Sequence, residues 1–143
     1  MIAHIGFSCR GSYCDNVRLA AARVPEWTFL DYSTYYASGP FGNARRYCNG
    51  GGEGNAQGIV IGLGCHGGYC GKIDMACSKP AVGHLTNCRW SEWLSDEVGA
   101  YSFGVSNFIT GVECRSSWIS TGRFGYYTPS CDNKRFYVCS LEP

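Results

Sequence analysis

The chain has 143 residues, ten of them cysteine, with 16% charged residues and a formal net charge of +1. The length suits one domain with a real core, and the near-neutral charge argues against a nucleic-acid binder, which presents a concentrated basic face. No run approaches the roughly 18–20 apolar residues of a membrane span, so the chain reads as not transmembrane, and this cysteine usage points to an oxidising, secreted or extracellular setting.

The first expected element is a strand through Ile5-Gly6-Phe7-Ser8-Cys9, followed by a turn, Cys9-Arg10-Gly11-Ser12-Tyr13-Cys14. Beyond the turn Val17 and Leu19 are apolar at alternate positions, which predicts a strand with one buried face. Asp15 to Arg23 contains three alanines and imitates a short helix, but its counterpart, Gly71 to Cys77, alternates like a strand. Glu26-Trp27 marks a third strand candidate. Tyr32, Tyr35, Tyr36 and Phe41 then lie in a long insertion, and Asn49 to Gly58 carries five glycines and reads as a loop or turn. No Gly-Lys-Ser or Gly-Lys-Thr follows it, so it is not a phosphate-binding loop.

The pattern then repeats. Ile61-Gly62-Leu63-Gly64-Cys65 precedes the turn Cys65-His66-Gly67-Gly68-Tyr69-Cys70, Ile73 and Met75 alternate after it, and Glu92-Trp93 marks the third strand. A third copy begins at Thr110-Gly111-Val112-Glu113-Cys114 and resumes after Cys131 with Phe136 and Val138, one register step out of line. A single domain of three internal repeats follows, about 2–48, 57–105 and 106–140. Gly62-Leu63-Gly64 imitates a dinucleotide fingerprint, but these glycines lie inside a strand and before a cysteine, where close strand packing is the better explanation. Met1 stands almost directly at the first strand with no recognisable secretion signal, which leads to the expectation that a signal peptide or longer precursor has been removed.

The repeats also suggest a disulfide framework in which all ten cysteines are bridged. Cys9 with Cys14, Cys65 with Cys70 and Cys114 with Cys131 follow from the repeated spacing. The second copy has ten extra residues, Ser78 to Asn87, between Cys77 and Cys88, where the first copy has adjacent Ala21 and Ala22. Two cysteines that flank an insertion are most simply partners, so Cys77 is expected to pair with Cys88. Cys48 and Cys139 then pair by elimination. A zinc site on Cys65, His66 and Cys70 would need unpaired thiolates and a ligand spacing that is absent, and no metal or cofactor is expected.

Three similar all-β units of about 50 residues imply a pseudo-threefold, disulfide-rich architecture, a β-prism or alternatively a β-trefoil. Trp90 and Trp93, then Phe108 to Cys114, then Cys131-Asp132-Asn133-Lys134-Arg135-Phe136-Tyr137-Val138-Cys139 resemble the repeat of the vitelline membrane outer layer proteins, which are β-prisms. The family's longer Asp-Asp-Thr-Ala-Leu-Asn run is shortened here to Cys-Asp-Asn, and the short cysteine turns are not matched. The resemblance implies a fold and, as in other β-prisms, binding of glycans or surfaces.

Four tryptophans, ten tyrosines and seven phenylalanines make up 15% of the chain, and several fall where strands should have ended. Trp118, Phe124, Tyr126 and Tyr127 lie, with Arg115 and Arg123, in an enlarged loop from Arg115 to Ser130. Flat amphipathic rings stack on sugar faces while nearby polar groups hold hydroxyls; the same rings also serve to cover a small core. Asp15-Asn16 and Asp132-Asn133 follow the second cysteine of their turns, where they either cap the turn or face a ligand. Trp118, Tyr126, Tyr127, Arg123, Asp132, Asn133, Asp15 and Asn16 are therefore the candidate ligand-binding residues of a secreted, lectin-like, non-catalytic module. Two alternatives stand beside it. One is a self-assembling extracellular protein that associates through an open sheet edge, and the other is a glycoside hydrolase using carboxylates among Glu92, Asp96 and Glu97.

Overall fold

The computed structural model describes residues 2–10, 16–31, 35–37, 45–48, 57–66, 72–95, 100–120 and 127–143, with backbone alone at 9–10, 16, 35–37, 65–66, 72, 116–120, 127–130 and 132. Every regular element among them is a strand: β1 (Ile2–Arg10), β2 (Asn16–Arg23), β3 (Tyr35–Ala37), β4 (Arg45–Tyr47), β5 (Ile59–His66), β6 (Lys72–Ser78), β7 (His84–Trp90), β8 (Ala100–Ser102), β9 (Asn107–Ser120) and β10 (Tyr127–Glu142). No helix among the described residues is long and apolar enough to cross a membrane.

The strands form three sheets, ordered β2-β1-β8, β4-β9-β10-β7 and β3-β6-β5, each built on one antiparallel hairpin. The hairpins β1–β2, β5–β6 and β9–β10 agree position by position. In each, one extra residue interrupts the register just before a glycine: Ile5 before Gly6, Ile61 before Gly62 and Thr110 before Gly111. Such a bulge bends the strand and increases its twist. Below it, Ala3, Ile59 and Phe108 occupy matching positions in one buried cluster with Ile5, Leu30 and Leu141. Above it, Phe7 and Val112 lie within a second cluster that Leu63, at the matching position, packs against. Their direct partners Leu19, Met75 and Phe136 line the same cluster. One bulge per hairpin thus divides the interior between two clusters to which all three sheets contribute.

These pairings correct the sequence reading in four places. The residue matching Val17 and Ile73 is Lys134, so the third copy keeps the register from its cysteine, and a fully buried lysine takes the apolar position. The third strands are not at the Glu-Trp pairs: β3 follows Trp27 and β7 ends before Trp93. Arg115 to Ser130 is not simply an enlarged loop, because β9 runs on to Ser120 and β10 starts at Tyr127, with Trp118 opposite Pro129.

The fourth correction concerns the disulfides. Cys77 bonds to Cys48 and Cys88 to Cys139, while Cys114 bonds to Cys131. The Cys77–Cys88 and Cys48–Cys139 pairings fail because Ser78 to Asn87 is not a stapled loop. It carries the chain from the β6 sheet to the β7 strand of another sheet, bonding on the way to Phe29 and Asp31. Asn87, at φ 51°, makes the extra residue of a bulge opposite Cys139 and so brings Cys88 against it; asparagine tolerates this left-handed backbone better than most residues. Cys14 and Cys70 lie outside the described residues, and with them the expected Cys9–Cys14 and Cys65–Cys70 pairs. With intervals of 29, 51 and 17 residues, the three bridges each contribute roughly 3–4 kcal/mol by restricting the unfolded chain. Non-reducing peptide mapping is expected to recover Cys48–Cys77 and Cys88–Cys139 peptides, and a Cys77–Cys88 peptide would contradict this topology.

The glycines after the bulges differ in what they face. A Cβ on Gly6 would sit 2.5 Å from the Tyr101 carbonyl oxygen, and one on Gly111 2.8 Å from that of Arg46. Both are backbone atoms of a neighbouring strand, so the clash forces the strands apart. Gly6→Ala is expected to lower the unfolding free energy by about 1–3 kcal/mol, measured by urea denaturation; an unchanged midpoint would show that β8 yields freely.

A candidate arginine–tryptophan binding face

The four-stranded sheet carries the most developed side-chain arrangement of the described surface. Cross-strand register sets Arg45 opposite Glu113 and Tyr47 opposite Gly111, and on the other side of β9 it sets Arg135 opposite Glu113 and Asn133 opposite Arg115. These positions share one face because side chains alternate along a strand. The reverse face presents Val112, Cys114 and Phe136 to the core.

Two tryptophans complete the face through a local irregularity. Trp90 pairs with Tyr137 and Leu94 with Lys134, so the segment after β7 spends one more residue than β10 over the same distance. Ser91 anchors it: its backbone N–H donates to the Phe136 carbonyl at 2.8 Å, and its hydroxyl accepts from the Phe136 N–H at 3.0 Å. Trp90 and Trp93, three apart and on opposite faces in a regular strand, both reach Arg135. The Arg135 guanidinium lies 4.7 Å from the Trp90 ring centre and 4.8 Å from that of Trp93. Arg45 lies 5.3 Å from Trp90 and Arg115 4.3 Å from Trp93. Cations alternate with rings in the order Arg45, Trp90, Arg135, Trp93, Arg115, and each contact contributes on the order of 0.5–2 kcal/mol. Tyr47 and Tyr137 support Trp90 from the side, at ring separations of 5.8 and 5.1 Å.

Glu113 is the carboxylate at the centre. It accepts from Arg135 Nε at 2.6 Å and pairs with Arg45 through its other oxygen. Burial pushes its carboxyl up, but hydrogen bonds from Arg45 and Arg135 and the charges of both outweigh this and hold it below the usual glutamate value. Arg45 is correspondingly raised, chiefly by its hydrogen bond to Glu113. Together with Cys114, the three arginines, Trp93 and Glu113 line a shallow polar groove of about 440 Å³. Among the described residues, three guanidinium groups stand on this face against one carboxylate, on a chain whose overall charge is only +1.

The candidate residues read from the sequence are not brought together here, with one exception. Asn133 joins this face beside Arg115. Trp118 and Tyr127 lie farther along the same hairpin and Asp132 within its irregular step, each placed by backbone alone. Arg123, Tyr126 and Asp15 lie outside the described residues, and Asn16 opens β2 opposite Arg10 on a different hairpin. Glu92, considered as a catalytic acid, is exposed, while Asp96 and Glu97 lie outside the described residues. Sequence reasoning missed Arg45, Glu113 and Arg135. Glu113-x-Arg115 and Asn133-x-Arg135 were the available signal, since polar residues alternating with Val112, Cys114 and Phe136 define the outward face of a half-buried hairpin. Arg45, more than sixty residues earlier, left no such trace.

No family model, no curated protein and no solved structure matches the chain.

Because Glu113 titrates below an ordinary glutamate, its ion pairs stabilise the fold fully above the unfolded value of about 4.3 and are lost as pH falls through the lower folded value. The stability difference between the wild type and Glu113→Gln is expected to be largest near neutrality and to shrink on acidification below about pH 4. Urea titrations at several pH values measure it; a difference independent of pH would mean that the carboxylate charge is not what holds the two arginines.

Proposed function

We propose that this protein is a secreted, non-catalytic binding module of pseudo-threefold β-prism architecture that recognises acidic glycans on an extracellular surface through the arginine–tryptophan face. The observation that carries the reading is the set of three arginines held on one sheet by two tryptophans and, among the described residues, paired with one carboxylate, Glu113. Arginine presents planar donors that match carboxylate or sulfate oxygens two at a time. The rings fix these side chains in advance, so little conformational freedom is lost on binding. Because guanidinium groups lie over the tryptophan faces, the chemistry favours anionic groups on a sugar over stacking of a neutral ring. Asn133, at the rim beside Arg115, supplies an amide for adjacent hydroxyls. Three disulfides and a wholly strand-built fold among the described residues suit an oxidising compartment. The three-sheet arrangement supports the prism reading.

A glycan array probed with the disulfide-bonded protein is expected to show preference for sulfated or carboxylated oligosaccharides, with affinity falling as salt rises. Arg115→Ala, which removes the arginine stacked on Trp93 while leaving the Glu113 pairs intact, is expected to weaken binding about tenfold or more with little change in melting temperature. Equal binding to neutral glycans, or full binding by Arg115→Ala, would overturn the reading.

A further inference from the structure

Outer strands reach the three hairpins by one rule. After β1–β2, the chain places β3 on β6, the second strand of the next hairpin, and β4 on β9, the first strand of the hairpin after that. After β5–β6 it repeats the move, placing β7 on β10 and β8 on β1. The registers agree as well: Tyr36 faces Ala76 as Trp90 faces Tyr137, and Tyr47 faces Gly111 as Ser102 faces Gly6. Applied once more, after β9–β10, the rule calls for a strand on β2 and a strand on β5. Those are the two hairpin strands whose outer edges pair with no described strand.

Both edges carry features that a strand would explain. Gly62 occupies the position at which Gly6 and Gly111 admit the backbone of a third strand, yet among the described residues a Cβ there would meet only the Ala76 Cβ, at an ordinary 3.5 Å. Residues 59–66 of β5 include no acidic side chain, lysine, arginine or proline, the usual guards of an exposed edge. Across the face of the β2-β1-β8 sheet lies a largely apolar groove of about 540 Å³ whose lining includes Phe7, Ser8, Arg18, Ala20, Ala100 and Ser102. Arg18 and Ala20 match Arg135 and Tyr137 in register, so the groove corresponds to the space that Trp90 fills in the four-stranded sheet.

We infer that the outer edges of β2 and β5 form a two-part seat for a pair of short, linked, extended strands supplied from outside these 143 residues, with an aromatic side chain opposite Ala20 stacked on Arg18. Both short-strand pairs among the described residues, β3 with β4 and β7 with β8, already occupy seats. A second copy would offer β5 an eight-residue hairpin edge where the register calls for a strand of three residues, as in β4 and β8. Backbone pairing along such an edge supplies affinity, and the pocket for the alternate side chain supplies selectivity.

The probe is a fluorescently labelled synthetic peptide of residues 84–102 with Cys88→Ser, which contains β7 and β8, titrated into the intact disulfide-bonded protein. Saturable binding with new hydrogen-exchange protection in both β2 and β5 is expected. Gly62→Ala, whose Cβ has room in the free protein but meets the incoming backbone, is expected to weaken binding about tenfold or more at unchanged melting temperature. Absence of saturable binding, absence of protection in β2 or β5, or equal binding by Gly62→Ala would overturn the inference. A protein that sediments as a dimer dissolved by Gly62→Ala would overturn it in favour of a second copy.

Discussion

One extra residue in the first strand of each hairpin, followed by glycine, is the constraint on which the rest of the fold depends. At Ile5-Gly6, Ile61-Gly62 and Thr110-Gly111 the strand bends. The bend lets the two ends of a single hairpin contribute to different buried clusters. The glycine then leaves the edge free of a Cβ, so that a third strand approaches to backbone distance at Gly6 and Gly111. The bulged Ile5 uses the opening directly, since its carbonyl accepts from the Phe103 N–H at 2.8 Å, the residue just beyond β8. Where the bulge residue is Thr110, its buried hydroxyl is satisfied by the Tyr137 carbonyl at 3.2 Å, which removes the penalty of placing a polar group there.

Strand exchange among the hairpins makes the three sheets one cooperative body. No sheet with a complete complement of strands is built from a continuous stretch of chain: β4, β7 and β9–β10 come from three separate regions and meet in one sheet. Such non-local pairing costs loop-closure entropy before it is rewarded, and the disulfides act on that cost. Cys48–Cys77 ties the residue after β4 to β6 of another sheet, and Cys88–Cys139 fastens β7 to β10. Both bridges therefore lie between segments that the chain brings together from a distance.

Equivalent positions on the sheets have diverged in chemistry while keeping their geometry. Where the four-stranded sheet has Arg45, Glu113, Arg135 and Tyr137, the β1–β2 sheet has Ala100, Ser8, Arg18 and Ala20. Only the former assembles a charged, ring-supported face. Among the described residues Glu113 serves Arg45 and Arg135, while Arg115 is held by Trp93. A ring orients a guanidinium without cancelling its charge.

The sequence by itself determined the all-β class and the hairpin strands. Period-two alternation through Leu19, Met75 and Phe136 follows from the geometry of a half-buried strand and needs no knowledge of neighbours. Close packing was expected at Gly62 and Gly64, but it is Gly6 and Gly111 that face a neighbouring backbone. The repeat made Cys114–Cys131 legible, whereas the partners of Cys48, Cys77, Cys88 and Cys139 and the arginine–tryptophan face were decided only in three dimensions. Cys77 and Cys88 are near in sequence, yet the chain between them crosses to another sheet, so proximity along the chain was the wrong guide to proximity in space. Arg45 and Arg135 meet on Glu113 because β4 docks on β9 across a separation of 68 residues, a pairing set by the open edge and its glycine rather than by local pattern. Periodicity reports which face of a strand is buried; which strand lies beside it depends on how every other edge is satisfied.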